Sequence, residues 1–167
     1  MHILVTNDDG IAAPGLFALA QAMRALGTVS VVAPDRNWSA SGHVKTLERP
    51  LRVKETLLPD GSHALASDGA PSDCVALALL GLLPEPVDLV VSGINPNENV
   101  GHDVTYSGTV TAAMEAVIGG IPGVAVSLYR SEDQRGVLDY APAARIARRI
   151  VQAGITYGLP KGVLLNI

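Results

Sequence analysis

The sequence predicts a doubly wound α/β fold, in which helices flank a mainly parallel sheet that carries a small β-hairpin excursion. Short apolar runs alternate with helical segments along the chain, which is the pattern of βαβ units. Hydrophobic residues make up 48% of the 167 residues and aromatic residues only 4%, so aliphatic side chains must fill the core. Strands buried on both faces of a parallel sheet have this composition. From its length, we expect the chain (1–167) to form a single domain.

The first strand–helix–strand unit lies at the N-terminus. Residues 2–6 form an apolar strand that leads into a polar turn. A helix is predicted over residues 14–26, because Pro14 stands at its first position and Gly27 just past its end, an asymmetry typical of helices. The apolar run at 28–33 then predicts the second buried strand.

The segment at 44–67 has a different pattern. Charged and apolar residues mix there, and a Pro-Asp-Gly turn at 59–61 separates two candidate strands, 51–57 and 62–67. Two such strands joined by a short glycine-containing turn predict a hairpin.

Two helix–strand pairs come after the hairpin. A helical run at 74–83 precedes a core strand at 87–92, and another at 109–118 precedes a core strand at 123–127. A long loop rich in Asn and Gly, 93–108, joins the two pairs.

The chain ends with a helix and an apolar segment. The helix is predicted over 140–153, and residues 162–167 begin another strand with no polar tail. Because an unpaired apolar strand at a sheet edge invites aggregation, we expect the natural chain to continue beyond Ile167.

Charge and cysteine content argue against several classes of function. The formal net charge is −4, without the basic stripe that binds long nucleic acids. The single cysteine, Cys74, excludes an internal disulfide and a cysteine-based zinc site. No window reaches the roughly 18 apolar residues of a membrane span, and no signal-peptide pattern is present. We expect a cytoplasmic protein that binds neither long nucleic acid nor membrane.

Two adjacent carboxylates, Asp8 and Asp9, come directly after the first predicted strand. The carboxyl ends of parallel strands form the ligand-binding edge of such sheets. Neighbouring carboxylates repel each other unless a cation or a proton lies close to them, and oxygen ligands favour Mg²⁺, Mn²⁺ or Ca²⁺ over zinc. The pattern is compatible with a metal site or with a polar turn that only satisfies backbone groups.

A candidate anion site precedes the helix at 109–118. Ser107, Gly108 and Thr109 offer two hydroxyls and free backbone N–H groups at the positive end of a helix dipole. The commoner role of Ser or Thr at this position is that of an N-cap. A metal ion held by oxygen ligands beside an anion site could bind and cleave a phosphate ester.

Two histidines, His43 and His102, lie in loops at the same edge and are candidate proton donors. Cys74 is expected to be a small core residue.

Three other phosphate-handling α/β folds are disfavoured by the residues at the ends of the strands. The Gly-x-Gly-x-x-Gly of dinucleotide-binding modules is absent after the first strand. A receiver domain needs an acceptor Asp where this chain has Ser92, and a haloacid-dehalogenase-type phosphatase needs Asp-x-Asp, a spacing that residues 7–10 lack.

Five motifs together resemble the SurE family, the stationary-phase survival proteins, and they span most of the chain in that family's order and spacing. The motifs are ILVTNDDG at 3–10, VVAPDRNWSASGH at 31–43, SDGAPSDCV at 67–75, SGIN at 92–95 and GHDVTYSGTVTAAMEA at 101–116. The resemblance implies a Rossmann-like core and a metal-dependent phosphomonoesterase, a 5′-nucleotidase. Its substrates would be nucleoside 5′-monophosphates, with 3′-monophosphates and short polyphosphate in addition.

The resemblance also implies roles for individual residues. One divalent ion per subunit, Mn²⁺ or Mg²⁺, would be held by Asp8, Asp9, Ser39 and Asn95. Asn95, Ser107, Gly108 and Thr109 would contact the phosphate, and the catalytic set would be Asp8, Asp9 and Asn95. The resemblance further implies a homodimer or homotetramer, built partly by an extended C-terminal segment that we expect to lie beyond residue 167.

Three positions depart from the family's usual glycine, namely Ala40, Asn97 and Thr111. None of them removes an implied ligand, and Asn tolerates a left-handed backbone. The alternative function is a non-catalytic sensor that binds a nucleotide or phosphate at the same edge.

Overall fold

In a computed structural model of the chain, which describes residues 1–130 and 136–167, seven strands form one sheet. The strands are β1 His2–Thr6, β2 Thr28–Pro34, β3 Val53–Leu57, β4 His63–Ser67, β5 Leu89–Asn95, β6 Gly123–Ser127 and β7 Leu164–Asn166. Their order across the sheet is β3-β4-β2-β1-β5-β6-β7, and every neighbouring pair is parallel except β3 with β4. The predicted mainly parallel α/β sheet is confirmed.

Helices cover both faces of the sheet. They are α1 Pro14–Met23, α2 Pro71–Leu77, α3 Gly108–Ile118 and α4 Ala141–Tyr157, with a π-helical turn at Ala78–Leu82 and a 3-10 helix at Gly101–Thr105. Ile3 and Val5 of β1 pack in the cluster that contains α1 and α4, whereas Leu4 packs in the cluster that contains α2 and α3. This alternation results from the two-residue period of a strand and makes the fold doubly wound.

The predicted hairpin is present, and it joins the main sheet through one of its strands. β3 and β4 pair antiparallel, as predicted, but β4 also pairs in parallel with β2, with Ala33 opposite Ala66. Burial of the β2 edge requires partners for its backbone groups, and β4 provides them. The hairpin therefore extends the main sheet, with β3 at its edge.

Several element boundaries differ from the predicted ones for local reasons. Helix α1 ends at Met23 rather than at residue 26, where the chain turns towards β2. Helix α2 begins at Pro71 rather than at residue 74. The Asp73 side chain accepts a hydrogen bond from the amide of the N-cap residue Ala70 at 2.9 Å, which stabilises a helix N-terminus at this earlier position. The run predicted to be helical up to residue 83 continues as the π-helical turn, within which Gly81 has a φ of 105°.

The C-terminal elements are also shifted relative to the predictions. β5 continues to Asn95 rather than ending at residue 92, because its pairing with β6 runs on to Asn95 opposite Ser127. Helix α4 extends to Tyr157, and β7 is shorter than the predicted strand at 162–167.

The switch point of the sheet lies between β1 and β5. From β1 the chain moves to β2 on one side, and it later returns to β5 on the other side of β1. In open α/β sheets the ligand crevice lies outside the carboxyl ends of the strands at this point. Asp8 and Asp9 come after β1, and Asn95 ends β5, so the topology brings these three residues to the crevice.

Candidate functional site

The turn after β1 is built to present its two carboxylates. The buried Asn7 side chain closes the turn, since its Nδ2 donates to the Gly10 carbonyl at 3.0 Å and its Oδ1 accepts from the Gly10 amide at 3.2 Å. Gly10 has a φ of +102°, and a Cβ there would lie 3.1 Å from the Arg36 backbone. The turn therefore requires glycine and leaves the Asp8 and Asp9 carboxylates free of this backbone pairing.

The N-terminus of α3 packs directly against Asp8. Thr109 Oγ1 donates a hydrogen bond to Asp8 Oδ1 at 2.5 Å, in the buried interior of the site. Ser107 is the N-cap of α3, with its Oγ accepting from the Val110 amide at 3.2 Å. Ser107 therefore has the capping role that is common at such a position, while the Thr109 hydroxyl binds the carboxylate of Asp8. The contacts of Ser107, Gly108 and Thr109 with a phosphate stay a prediction.

The surroundings of the acid pair, Asp8 and Asp9, disfavour the charged form of both carboxylates. Burial raises the pKa of Asp8, although hydrogen bonds from Thr109 and from the nearby backbone act in the opposite direction. Burial and the neighbouring charge of Asp8 raise the pKa of Asp9 to about 6. Two carboxylates with raised pKa values at a cavity wall favour a bound cation, which would compensate both charges.

A cavity of about 240 Å³ collects the predicted metal-binding residues. Asp8, Asp9, Ser39 and Asn95 all line it, together with Ser107. Asn95 Nδ2 donates to the Asn97 carbonyl at 2.6 Å, so its Oδ1 is oriented away from that bond and is available as a ligand. Gly108 and Thr109 are buried behind Asp8 and are not among the lining residues.

The donor set fits a hard divalent cation. Within residues 1–130 and 136–167, no group of three or more His, Cys, Asp or Glu is placed to hold a metal ion. A metal here would therefore rely on two carboxylates completed by the amide of Asn95 and the hydroxyl of Ser39. Oxygen donors of this kind suit Mg²⁺ or Mn²⁺ better than zinc.

Sequence reasoning missed part of the cavity wall. The loop between β5 and α3 contributes Pro96, Asn97, Glu98, Asn99, Asp103 and Tyr106, and the rim beside Ser39 contributes Ala40. The GHDVTYSG motif was the available signal, but only the 3-10 helix brings Asp103 and Tyr106 over the cavity. Tyr106 is 64% exposed, which is unusual for a large aromatic residue beside such a polar site.

Other candidate residues lie outside the cavity. His43 pairs with Glu115, with 2.7 Å between Nε2 and Oε2, and His102 lies exposed on the 3-10 helix. Neither histidine lines the cavity, so the proton-donor hypothesis gains no support from the geometry. Cys74 is fully buried, and burial raises the pKa of its thiol, as expected of a small core residue.

The fold and this site together define an α/β protein with a mainly parallel sheet, in which oxygen-bearing side chains and the start of a helix meet at the switch point. The chain belongs to the family described as Survival protein SurE, whose family model matches residues 3–167. The resemblance drawn from the five motifs is thereby confirmed.

The chain is similar to SurE proteins both in sequence and in structure. The chain is 55% identical to the 5′-nucleotidase SurE of Chloroflexus aggregans and 54% identical to that of Herpetosiphon aurantiacus, in each case over all of this chain and 65% of the relative. The crystal structure of the SurE protein from Aquifex aeolicus superposes with a TM-score of 0.85 at 40% identity, covering 99% of this chain and 64% of that one. The expected Rossmann-like core is confirmed by this match.

The chain is shorter than these relatives, since it spans about 65% of the length of the two curated proteins. In the part of the chain that the structure describes, no helix is both long enough and apolar enough to cross a membrane.

Proposed function

We propose that the chain is the phosphate-cleaving part of a metal-dependent 5′-nucleotidase. The observation that carries the proposal is the pairing of Asp8 and Asp9, both with raised pKa values, at a cavity bordered by the N-terminus of α3. Such a site attracts a divalent cation at the carboxylates and a phosphate at the helix terminus. The relatives named 5′-nucleotidase SurE support this assignment.

The residues that would hold the metal are Asp8, Asp9, Ser39 and Asn95. A divalent ion bound there supplies positive charge that offsets the charge of a phosphate and makes water more acidic. We propose one ion per subunit, Mn²⁺ or Mg²⁺, because every donor in the set is an oxygen.

The protein's own groups orient the acid pair and the substrate. Thr109 holds Asp8 in place through its hydroxyl, and its hydrogen bond favours the ionised carboxylate that a cation requires. Asn95 and Ser107 lie on the cavity wall and would donate hydrogen bonds to phosphate oxygens. The positive end of the α3 dipole favours the equatorial charge that develops during phosphoryl transfer.

The cavity mouth favours a nucleotide over a simple phosphate ester. Tyr106 directly precedes Ser107, and its exposed ring borders the cavity. An aromatic ring beside a phosphate site offers a stacking surface for a base, as in other nucleotide-binding proteins.

We also propose that the whole protein accepts 3′-monophosphates and short polyphosphate as further substrates. We propose that it forms a homodimer or homotetramer in solution, that it is cytoplasmic and that residues 1–167 form one domain. Size-exclusion chromatography with light scattering tests the assembly, and fractionation of cells tests the location.

Phosphate release from 5′-AMP and 3′-AMP is the experiment that tests the activity. We expect release with Mn²⁺ or Mg²⁺ and none with EDTA, and we expect Asp9→Asn to abolish the metal-dependent release in a folded protein. Retention of wild-type activity by Asp9→Asn would refute the metal assignment. Binding of AMP without release would instead indicate the sensor function.

A further inference from the structure

The segment that carries Ser39 contains no helix or strand, yet contacts with other elements hold it along most of its length. We call residues 37–46 the rim loop. At its start, the Trp38 amide donates to the carbonyl of Asp8 at 2.7 Å. A tight turn around Ser39 comes next, closed by the Ser41 amide donating to the Trp38 carbonyl at 3.2 Å. The ligand candidate Ser39 therefore lies one residue beyond a direct link to Asp8.

Helix α3 holds the second half of the rim loop. The Gly42 amide donates to the carbonyl of Tyr106, just before α3, at 2.9 Å. Thr111 Oγ1 lies 3.0 Å from the Gly42 carbonyl and 2.9 Å from the Ser107 carbonyl, so these two acceptors compete for its single proton. Further along α3, the Glu115 carboxylate receives two side chains of the loop. His43 Nε2 lies 2.7 Å from Oε2, and Lys45 Nζ donates to Oε1 at 2.5 Å.

The environment of Glu115 makes this arrangement more than a surface ion pair. Its side chain is only 12% exposed, so few water molecules are available to replace His43 and Lys45. Hydrogen bonds to a largely buried carboxylate are stronger and better ordered than those on an open surface.

The start of helix α2 holds the far end of the rim loop. The Thr46 amide donates to Asp73 Oδ1 at 3.1 Å, and Ser72 Oγ donates to the Val44 carbonyl. These contacts give a role to the SDGAPSDCV motif, none of whose residues lines the cavity. The motif caps α2 and holds the rim loop at the same time.

We propose that Glu115 is a positioning residue for Ser39, acting through Lys45 and His43 of the rim loop. Helix α3 holds Asp8 through Thr109 in its first turn and holds the rim loop through Glu115 further along. One rigid helix thus sets the distance between Asp8 and Ser39. The inference rests on the proposed metal site. The Ser39 hydroxyl would be a weak, neutral ligand there, so its contribution to metal affinity depends on how firmly the rim loop holds it in position.

The test is a double-mutant cycle on Mn²⁺ affinity, measured by isothermal titration calorimetry on the 167-residue chain. We expect Glu115→Ala to raise the Kd for Mn²⁺ about tenfold, the lower end of the effect of outer partners of metal ligands. In a Ser39→Ala background, Glu115→Ala should change the Kd little further, because the ligand that it positions is gone. Glu55→Ala, a truncation of an exposed glutamate on β3, is the matched control and should leave the Kd unchanged.

Two further measurements keep the test independent of folding defects and of activity. Lys45→Met, on a partly exposed side chain, should raise the Kd in the same direction by a smaller factor. In the metal-free protein, Glu115→Ala should speed hydrogen exchange of the Gly42 amide while leaving the Ala113 amide in the middle of α3 unchanged.

Each outcome bears on the inference separately from the proposed function. A Kd within about twofold of the wild type for Glu115→Ala, or the same fold-change with and without Ser39, would overturn the positioning role alone. Unchanged exchange at Gly42 would do the same. A wild-type protein that binds no Mn²⁺ would overturn both the positioning role and the proposed metal site.

Discussion

Gly108 and Asp8 are in such close contact that no larger residue fits at position 108. A Cβ on Gly108 would lie 2.6 Å from the Cβ of Asp8 and 3.0 Å from its Oδ2. Real Cβ atoms do not approach so closely, so the first turn of α3 reaches the acid pair only because residue 108 is glycine. The candidate metal site and the candidate anion site therefore share one packing contact.

Gly108→Ala should move the candidate metal site and the candidate anion site apart. The added methyl must displace Asp8 or the start of α3, and overpacking of this kind costs about 1–3 kcal/mol of folding free energy. A shift of about 1 Å at a reacting centre costs about 100-fold in rate, so we expect a loss of that order in phosphate release from 5′-AMP. Steady-state kinetics and thermal unfolding measure the two effects. Gly154→Ala, within α4, is the control and should retain activity. Wild-type kcat for Gly108→Ala would contradict the shared contact.

Ala40→Gly should stabilise the protein. Ala40 has a φ of +58°, and a left-handed backbone costs a residue with a Cβ about 1–2 kcal/mol, whereas glycine adopts it freely. After the larger chain entropy of unfolded glycine is subtracted, we expect a gain of about 0.5–1 kcal/mol in the free energy of unfolding, measured with urea.

The control for this prediction is a substitution of the same kind at an ordinary backbone position. Ala153→Gly, on the exposed face of α4, should destabilise the protein by about 1 kcal/mol. Equal destabilisation by both substitutions would show that the backbone at position 40 relaxes without cost.

Asp9→Asn should stabilise the metal-free protein at high pH while it abolishes the response to metal. The pKa of Asp9 is about 6 in the folded protein, against an ordinary value of 3.8. The folded state therefore binds this proton more tightly than the unfolded chain, so the contribution of Asp9 to stability is lost as the pH rises from about 4 through 6. Discounted for partial exposure, removal of the charge should add about 1–2 kcal/mol at about pH 8 and almost nothing at about pH 4.

Thermal unfolding at the two pH values, with EDTA or with Mn²⁺, measures both effects. Mn²⁺ should raise the Tm of the wild type and of the control Glu55→Gln, because a ligand that binds only the folded state stabilises it. It should leave the Tm of Asp9→Asn almost unchanged. A destabilised Asp9→Asn protein at high pH without metal would contradict the unfavourable charge at this position.

Tyr106→Ala should affect nucleotides selectively. Stacking of a base on an aromatic side chain contributes about 1–3 kcal/mol, so the KM for 5′-AMP should rise about tenfold. The KM for glycerol 2-phosphate, which has no base, should stay the same, and Tyr106→Phe should behave as the wild type. The Tyr106 carbonyl also accepts a hydrogen bond from the Gly42 amide. An equal rise in KM for both substrates would therefore indicate that Tyr106 supports the backbone of the rim loop and does not stack on the base.

Local sequence patterns were sufficient to predict most of the fold and part of the candidate site. The period of apolar residues and the Pro and Gly signals at helix ends predicted every strand of the sheet, with β1 and β6 at the bounds that the structure has. The rule that ligands bind at the carboxyl ends of parallel strands directed attention to Asp8, Asp9 and the start of α3. Ser39 and Asn95 entered through the family resemblance, since a lone Ser and a lone Asn in polar loops carry little chemical signal of their own.

Other boundaries depend on interactions that a local pattern does not contain. β5 runs on to Asn95 because β6 pairs with it there, and the hairpin joins the sheet because the edge of β2 needs hydrogen-bond partners. The π-helical turn after α2 likewise departs from the simple helix that the apolar run predicts.

By itself, the sequence determined the class of fold, the acid pair and the candidate anion-binding segment at the start of α3, because each depends on residues near one another in the chain. Only the tertiary structure decided how these parts meet. Thr109 reaches Asp8 across 101 positions, and Glu115 reaches His43 across 72. Contacts over such separations depend on the order of strands and the packing of helices on the sheet. No period or motif encodes them, and they hold Asp8 and the rim loop that carries Ser39 around one cavity.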